Sequence, residues 1–302
     1  MDSNVATQTS NSTADTLVLT DKERIEKIRS SRWIGYTTAK KILDKLDDLL
    51  THPKTHRMPN MLIVGETNNG KTMIVNRFRS QHLAYDNANG EGITLPILLI
   101  QAPPTPDESR FYNVILDKLF ASYKVNDRVD KKCQQVIRLL SRLNVKILVI
   151  DEIHHILAGN LNKQRHFLNT IKYLGNELQI PIVGVGIKEA FNAIQTDPQL
   201  ANRFEPVLLP RWELNTEFLK LLASFEKMLP LKEPSNLAKT DLAIELFNMS
   251  EGIIGELNSV LTKAAVKAID TSIEHINLKI LKSIDWVQPS ERKWRFTKKN
   301  IL

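Results

Sequence analysis

Between Met61 and Phe78 the chain reads MLIVGETNNGKTMIVNRF, two apolar segments joined by a polar hinge that carries Gly65, Gly70, Lys71 and Thr72. A buried strand that breaks at two glycines and a lysine and resumes at once as an amphipathic helix is a severe constraint on the fold. The spacing Gly65-x-x-x-x-Gly70-Lys71-Thr72 is that of a phosphate-binding loop, and its context of strand before and helix after is the required one. Glycine lets the backbone curl so that successive N–H groups of Gly65, Glu66, Thr67, Asn68, Asn69 and Gly70 face phosphate oxygens, and the helix that follows adds its positive end. Lys71 is expected to reach the β and γ phosphates, and Thr72 to offer its hydroxyl to Mg²⁺. The bland alternative is a chance turn between a strand and a helix.

Asp151 and Glu152 end a second apolar run, KILVIDE. A buried strand closing on two acids sets one carboxylate beside the metal of a nucleotide triphosphate and the other beside its terminal phosphate. Asp151 is expected to hold Mg²⁺, and Glu152 to orient and deprotonate the attacking water; the alternative for Asp151 is a simple helix cap. The expected cofactors are therefore ATP and Mg²⁺, with hydrolysis as the reaction. His154 and His155 follow directly. Adjacent histidines diverge on a helix and make a poor metal pair, so they read as structural or as neighbours of the phosphate site.

Wholly apolar strands MLIV, LPILLIQ, VKILVI and IPIVGVG alternate with helical patterns of ten or more residues, which predicts a parallel sheet covered on both faces. After Pro210 the strand signal stops, and NTEFLKLLASFEKML, LAKTDLAIELFNMS, IGELNSVLTKAAVKAI and NLKILKSI read as helices. The predicted organisation is a lead-in over 1–19, an α/β core with its N-terminal helices over 20–210, a helical lid over 211–288 and a basic tail over 289–302. The capping box Thr20–Glu23 opens the first helix.

The 302 residues carry a formal net charge of +7, which admits an acidic partner such as nucleic acid. Lys124, Arg128, Lys131 and Lys132 form one basic run that either tracks a DNA backbone or is a solvated face. The tail ERKWRFTKKNIL mixes five basic residues with Trp294 and Phe296 and reads as an interaction arm. A single cysteine, Cys133, excludes an internal disulfide and suits a reducing compartment. The Ser/Thr/Asn-rich start has neither basic residues nor an apolar core, unlike a signal peptide, and the longest apolar runs are too short for a membrane span.

Arg203 lies a short helix beyond the fourth apolar run, where an arginine either reaches a neighbouring subunit's γ-phosphate or decorates the surface. Taken in order, these features resemble an AAA+ ATPase. The segments RWIGY, LVIDEIHHILAGN, FLNTIKYLGNELQIPIVGVG, NRFEPVLLP and SEGIIGEL resemble more narrowly the TniB family of transposition proteins, relatives of TnsC, from about Thr20 onward. The resemblance implies a bacterial cytoplasmic, DNA-associated ATPase that forms a homo-oligomer on double-stranded DNA and recruits a DDE-type transposase (TniA-like) together with a TniQ-like protein. It implies further that the adenine sits against Trp33, Ile34, Gly35 and Tyr36. Two departures from the general AAA+ pattern, Ile187-Lys188 at the end of the fourth strand and Glu256 where the lid usually presents an arginine, imply slow turnover. A helicase loader and a non-hydrolysing nucleotide-gated scaffold are the rival readings.

Overall fold

A computed structural model describes residues 19–88, 90–195 and 201–292. These divide into two compact units, one over Gly35–Pro210 and one formed by the described residues up to Ile34 together with those from Arg211 on.

The first unit is built on a five-stranded parallel sheet with β1 (Asn60–Gly65), β4 (Ile97–Gln101), β5 (Ile147–Asp151), β6 (Ile182–Gly186) and β7 (Phe204–Leu209), in the order β4-β5-β6-β1-β7. Residue period two sorts the side chains. Leu62 and Val64, Leu98 and Ile100, and Leu148 and Ile150 join a core shared with α4 (Glu108–Lys118), α5 (Val129–Arg142), α6 (Leu161–Leu178) and α7 (Lys188–Gln195). The alternate residues Ile63, Leu99 and Val149 are equally buried but lie outside that core. They face the side covered by α3 (Lys71–Gln81), which buries Ile74, Val75 and Phe78, and behind it α2 (Thr37–Thr51). Burial on both faces is why these strands read as unbroken apolar runs.

The fifth strand is absent from the sequence reading. β7 pairs with β1 alone, carries Pro206 opposite Leu62 and exposes Glu205 and Leu208. An edge strand tolerates proline and has no need of an apolar run, so its pattern is weak. A short hairpin, β2 (Tyr85–Asp86) with β3 (Ile93–Thr94), was likewise not legible.

The second unit packs α8 (Thr216–Glu226), α9 (Thr240–Ser250), α10 (Ile254–Asp270) and α11 (Leu278–Ser283) around Phe218, Leu222, Leu246, Val260, Leu261 and Ala264. The turn between α9 and α10 depends on Gly252, whose φ is +70° and whose Cβ, if present, would lie 2.3 Å from the Trp212 carbonyl oxygen. Helix α1 (Asp21–Arg29), assigned to the α/β core from sequence, belongs here instead: Ile28 joins the helical core, and the buried Arg24 guanidinium pairs with Glu274 at 2.8 Å through both Nη atoms. The reason is long-range and invisible locally, since Glu274 lies 250 residues away. Among the described residues no helix is long and apolar enough to cross a membrane.

Candidate functional site

Strand β1 ends at Gly65, where an added Cβ would meet the Leu209 carbonyl at 2.9 Å, so the chain can leave the sheet here only as glycine. The loop then passes Asn68 and Gly70, both left-handed at φ 62° and 88°, before α3 begins at Lys71. Asn69 is 1% exposed and donates through Nδ2 to the carbonyls of Leu209 (3.0 Å) and Pro210 (2.8 Å). Its side chain ties the loop to the end of β7, which leaves its backbone N–H for the expected role of facing a phosphate. Lys71 is buried and folds onto its own loop, donating to the carbonyls of Gly65 (2.9 Å) and Glu66 (2.6 Å). Burial pulls the Lys71 ammonium below its ordinary pKa, against the opposing pull of Glu152, Asp151 and Glu66.

Strands β1 and β5 flank β6, and their carboxyl ends bring the two motifs together. Thr72 donates its hydroxyl to Asp151 Oδ2 at 2.7 Å, and Asp151 Oδ1 accepts the Glu152 N–H at 2.8 Å. A hydroxyl beside a buried carboxylate is the oxygen-donor pair that a hard divalent cation takes, so the residues fit Mg²⁺. Glu152 is a non-glycine residue in the left-handed region, φ 55° and ψ 36°, and turns the chain sharply off β5 into a 3₁₀ turn over Ile153–Ala158. Ile153 anchors that turn. Gly184 and Gly186 on β6 leave room for it, since a Cβ on either would come within 3.0 Å of an Ile153 side-chain carbon.

The turn also corrects the expectation that the two histidines diverge. His154 and His155 meet edge to face with ring centroids 5.1 Å apart, His154 Nε2 lies 3.2 Å from Glu152 Oε2, and His155 Nδ1 lies 3.1 Å from the Ala102 carbonyl. Glu152, His154 and His155 each place one ligating atom within 4.8 Å of the others. As a transition-metal set it is poorly built, because His154 Nδ1 is buried without a partner among the described residues, and a metal on Nε2 would force a proton onto that nitrogen. The cluster is held by the His155–Ala102 hydrogen bond, the ring contact and the close approach of His154 to Glu152.

The remaining predicted residues are scattered. Arg203 precedes β7 at the opposite end of the sheet: its carbonyl accepts the Asn60 N–H at the start of β1, and its Nη1 donates to Asn176 Oδ1 at 2.8 Å. The length of β1, about 17 Å at ~3.3 Å per residue, separates it from its own phosphate loop. A cavity of about 970 Å³ opens beside it, lined also by His52, Arg57 and Glu205. Trp33 and Ile34 fall in the helical unit, with Ile34 against its core, whereas Tyr36 caps α2 in the α/β unit with its hydroxyl pushed up to about 12 by burial. Lys124, Arg128 and Lys131 are exposed. Lys132 is not: it is fully buried, donating to Ser109 Oγ (2.9 Å) and the Val125 carbonyl (2.8 Å) under the Tyr123 ring. Its assignment to a DNA path is corrected on that ground. In the helical unit Glu256 pairs with Arg292, whose guanidinium also stacks on Trp286 at 5.2 Å. The rest of the basic tail, Trp294 and Phe296 included, lies outside the described residues.

Comparison with known proteins decides the family. The family described as bacterial TniB protein matches residues 24–214. The chain belongs to the TniB family. The ATP-binding subunit ClpE of the ATP-dependent Clp protease from Bacillus subtilis is 24% identical over 151 residues, covering 50% of this chain. The TniB-family chain spans only 20% of that relative's length. Among solved structures, the ORC2 protein of Aeropyrum pernix in ADPNP-ADP complexes superposes with a TM-score of 0.61 at 14% identity, covering 85% of this chain and 70% of that one. The Aeropyrum pernix ORC1 protein in complex with DNA gives 0.54 at 16% identity, covering 86% and 68%, and Drosophila ORC bound to DNA gives 0.55 at 13%, covering 93% and 68%. The fold is that of the AAA+ P-loop ATPases, with a parallel sheet between helices followed by a helical region.

Proposed function

We propose that this TniB-family protein is an ATP-dependent, DNA-binding regulator of DNA transposition. In this reading it assembles as a homo-oligomer on duplex DNA and recruits a DDE-type transposase, with a TniQ-like protein as a further partner. The observation that carries it is the convergence of Lys71, Thr72, Asp151 and Glu152 at one end of the sheet, in a chain of this family. The solved relatives of the same fold that carry nucleotide or DNA lend further support.

Each residue then has a task. The loop from Gly65 to Gly70 holds the triphosphate on its backbone amides, and Lys71 exchanges the Gly65 and Glu66 carbonyls for the β and γ phosphates. Thr72 and Asp151 would hold Mg²⁺, which supplies neutralisation of phosphate charge. Glu152 accepts a proton from water as the water oxygen bonds to the γ-phosphorus and the bond to ADP breaks. Arg203 cannot reach its own loop, so its guanidinium serves the γ-phosphate of a neighbouring subunit. Exposed Lys124, Arg128 and Lys131 contact DNA phosphates.

The test is electron microscopy and phosphate release with duplex DNA and ATP or a slowly hydrolysed analogue. Lys71→Ala is expected to weaken ATP binding about 10- to 100-fold, the loss of one strong charged contact. Glu152→Gln should bind and assemble but not turn over. Arg203→Ala should bind nucleotide as a monomer yet neither assemble nor hydrolyse. Wild-type ATP affinity in Lys71→Ala, or assembly on DNA that ignores nucleotide, would end the proposal.

A further inference from the structure

We infer that His154 is a positioning residue for hydrolysis: its Nε2, 3.2 Å from Glu152 Oε2, holds the carboxylate where it can take a proton from the attacking water. The inference rests on the ATPase reading above and adds a group that neither the phosphate loop nor the Asp-Glu pair requires.

Three features of the turn carry it. First, His154 Nε2 stands 3.2 Å from Glu152 Oε2, with 25% and 35% of the two side chains exposed, so the contact is partly shielded from solvent. Side chains two residues apart on a helix point to different faces. Here the left-handed backbone of Glu152 and the 3₁₀ turn behind it bring them together.

Second, the buried His154 Nδ1 has no hydrogen-bond partner among the described residues. An N–H on Nδ1 would be buried there without an acceptor, which leaves Nε2 as the nitrogen placed to donate to Glu152. A donor at that distance orients the carboxylate toward the proton it has to accept.

Third, the ring is itself braced. His155 packs edge to face on it and is pinned through Nδ1 to the Ala102 carbonyl at the end of β4. Beneath them Ile153 fills the space left by Gly184 and Gly186. Glu152 follows Asp151, whose carboxylate accepts the Thr72 hydroxyl at 2.7 Å, so the turn starts beside the phosphate loop.

The experiment compares His154→Phe, which keeps a ring and loses the donor, with His154→Gln, whose side-chain amide donates from a similar reach. ATP affinity, KM and kcat are measured with saturating duplex DNA. His154→Phe is expected to lower kcat about tenfold, at the low end for loss of a well-placed proton-transfer geometry, with ATP affinity and KM unchanged. His154→Gln should recover most of the rate. Unchanged kcat in His154→Phe overturns the inference, and so does an equal loss in both variants, which would mean that only ring packing matters. If the Phe variant does not fold, the pair His154→Ala and His154→Gln reads the same contrast. Glu152→Gln is run alongside. Wild-type turnover there refutes the ATPase reading itself, whereas a dead Glu152→Gln with a fully active His154→Phe refutes only the positioning role.

Discussion

A lysine withdrawn from water must find oxygen or aromatic partners for its ammonium, and Lys132 finds three in Ser109, the Val125 carbonyl and the Tyr123 ring. In sequence it is indistinguishable from Lys131, which is exposed and paired with Asp127 at 2.7 Å. The two should behave differently. Lys132→Ala is expected to destabilise the α/β unit by about 1–3 kcal/mol, because Ser109 and Val125 lose their donor in a buried place, and chemical denaturation measures it. Replacing Lys124, Arg128 and Lys131 with Ala should leave stability within about 0.5 kcal/mol and flatten the salt dependence of DNA binding by up to about three units of slope, at ~0.9 per phosphate. An unchanged slope would remove this loop from the DNA path. The spacing of Gly65, Gly70, Lys71, Thr72, Asp151 and Glu152 is visible in the sequence, and the structure brings Thr72 and Asp151 within 2.7 Å of each other. The His154–Glu152 contact was not legible there, because it depends on a backbone angle that a non-glycine residue rarely adopts.

At the level of elements, the four apolar strands were legible because both faces of a covered parallel sheet select the same residue type. β7 was not, since it lies at an edge, carries Pro206 and buries little. Strand β6 shows what a strand contributes besides pairing. Its Gly184 and Gly186 form a shallow seat for Ile153, and through it set the turn that carries Glu152, His154 and His155. Gly184→Val would push on Leu62 and Ile153 side-chain carbons that stand 2.8 and 3.0 Å from the added Cβ. The expected cost is about 1–3 kcal/mol of stability, typical of overpacking, with a larger proportional loss in turnover than in ATP affinity. The measurement is denaturation beside single-turnover hydrolysis. A variant that loses affinity and keeps its turnover would show that the seat does not govern the turn.

At the scale of the whole molecule, the helical unit is closed by a buried ion pair between its first described helix and Glu274. Hydrogen bonds from Arg24, helped by Lys232, outweigh burial and hold the Glu274 carboxyl down at about 2, from an ordinary 4.5. A carboxyl depressed in the folded state contributes stability that is fully present above its unfolded pKa and lost as pH falls through the folded one. The window is therefore from about 4.5 down to about 2, and the contribution is on the order of 3 kcal/mol. Denaturation midpoints across that window should fall more steeply in the wild type than in Glu274→Gln, and parallel slopes would mean that the pair is not linked to folding. None of this was legible, because Arg24 and Glu274 are 250 residues apart and each reads locally as an ordinary helix or turn charge. The sequence by itself determined the sheet's apolar strands, the phosphate loop, the acidic pair and the family, since each is written in residue types at short spacing. Only the tertiary structure decided that α1 belongs with the helical unit, that Lys132 is internal, that Asn69 braces β7 and that Arg203 lies a strand's length from its own loop. Those outcomes depend on which distant segments share a core and which end of a strand a residue occupies, and no local pattern encodes either.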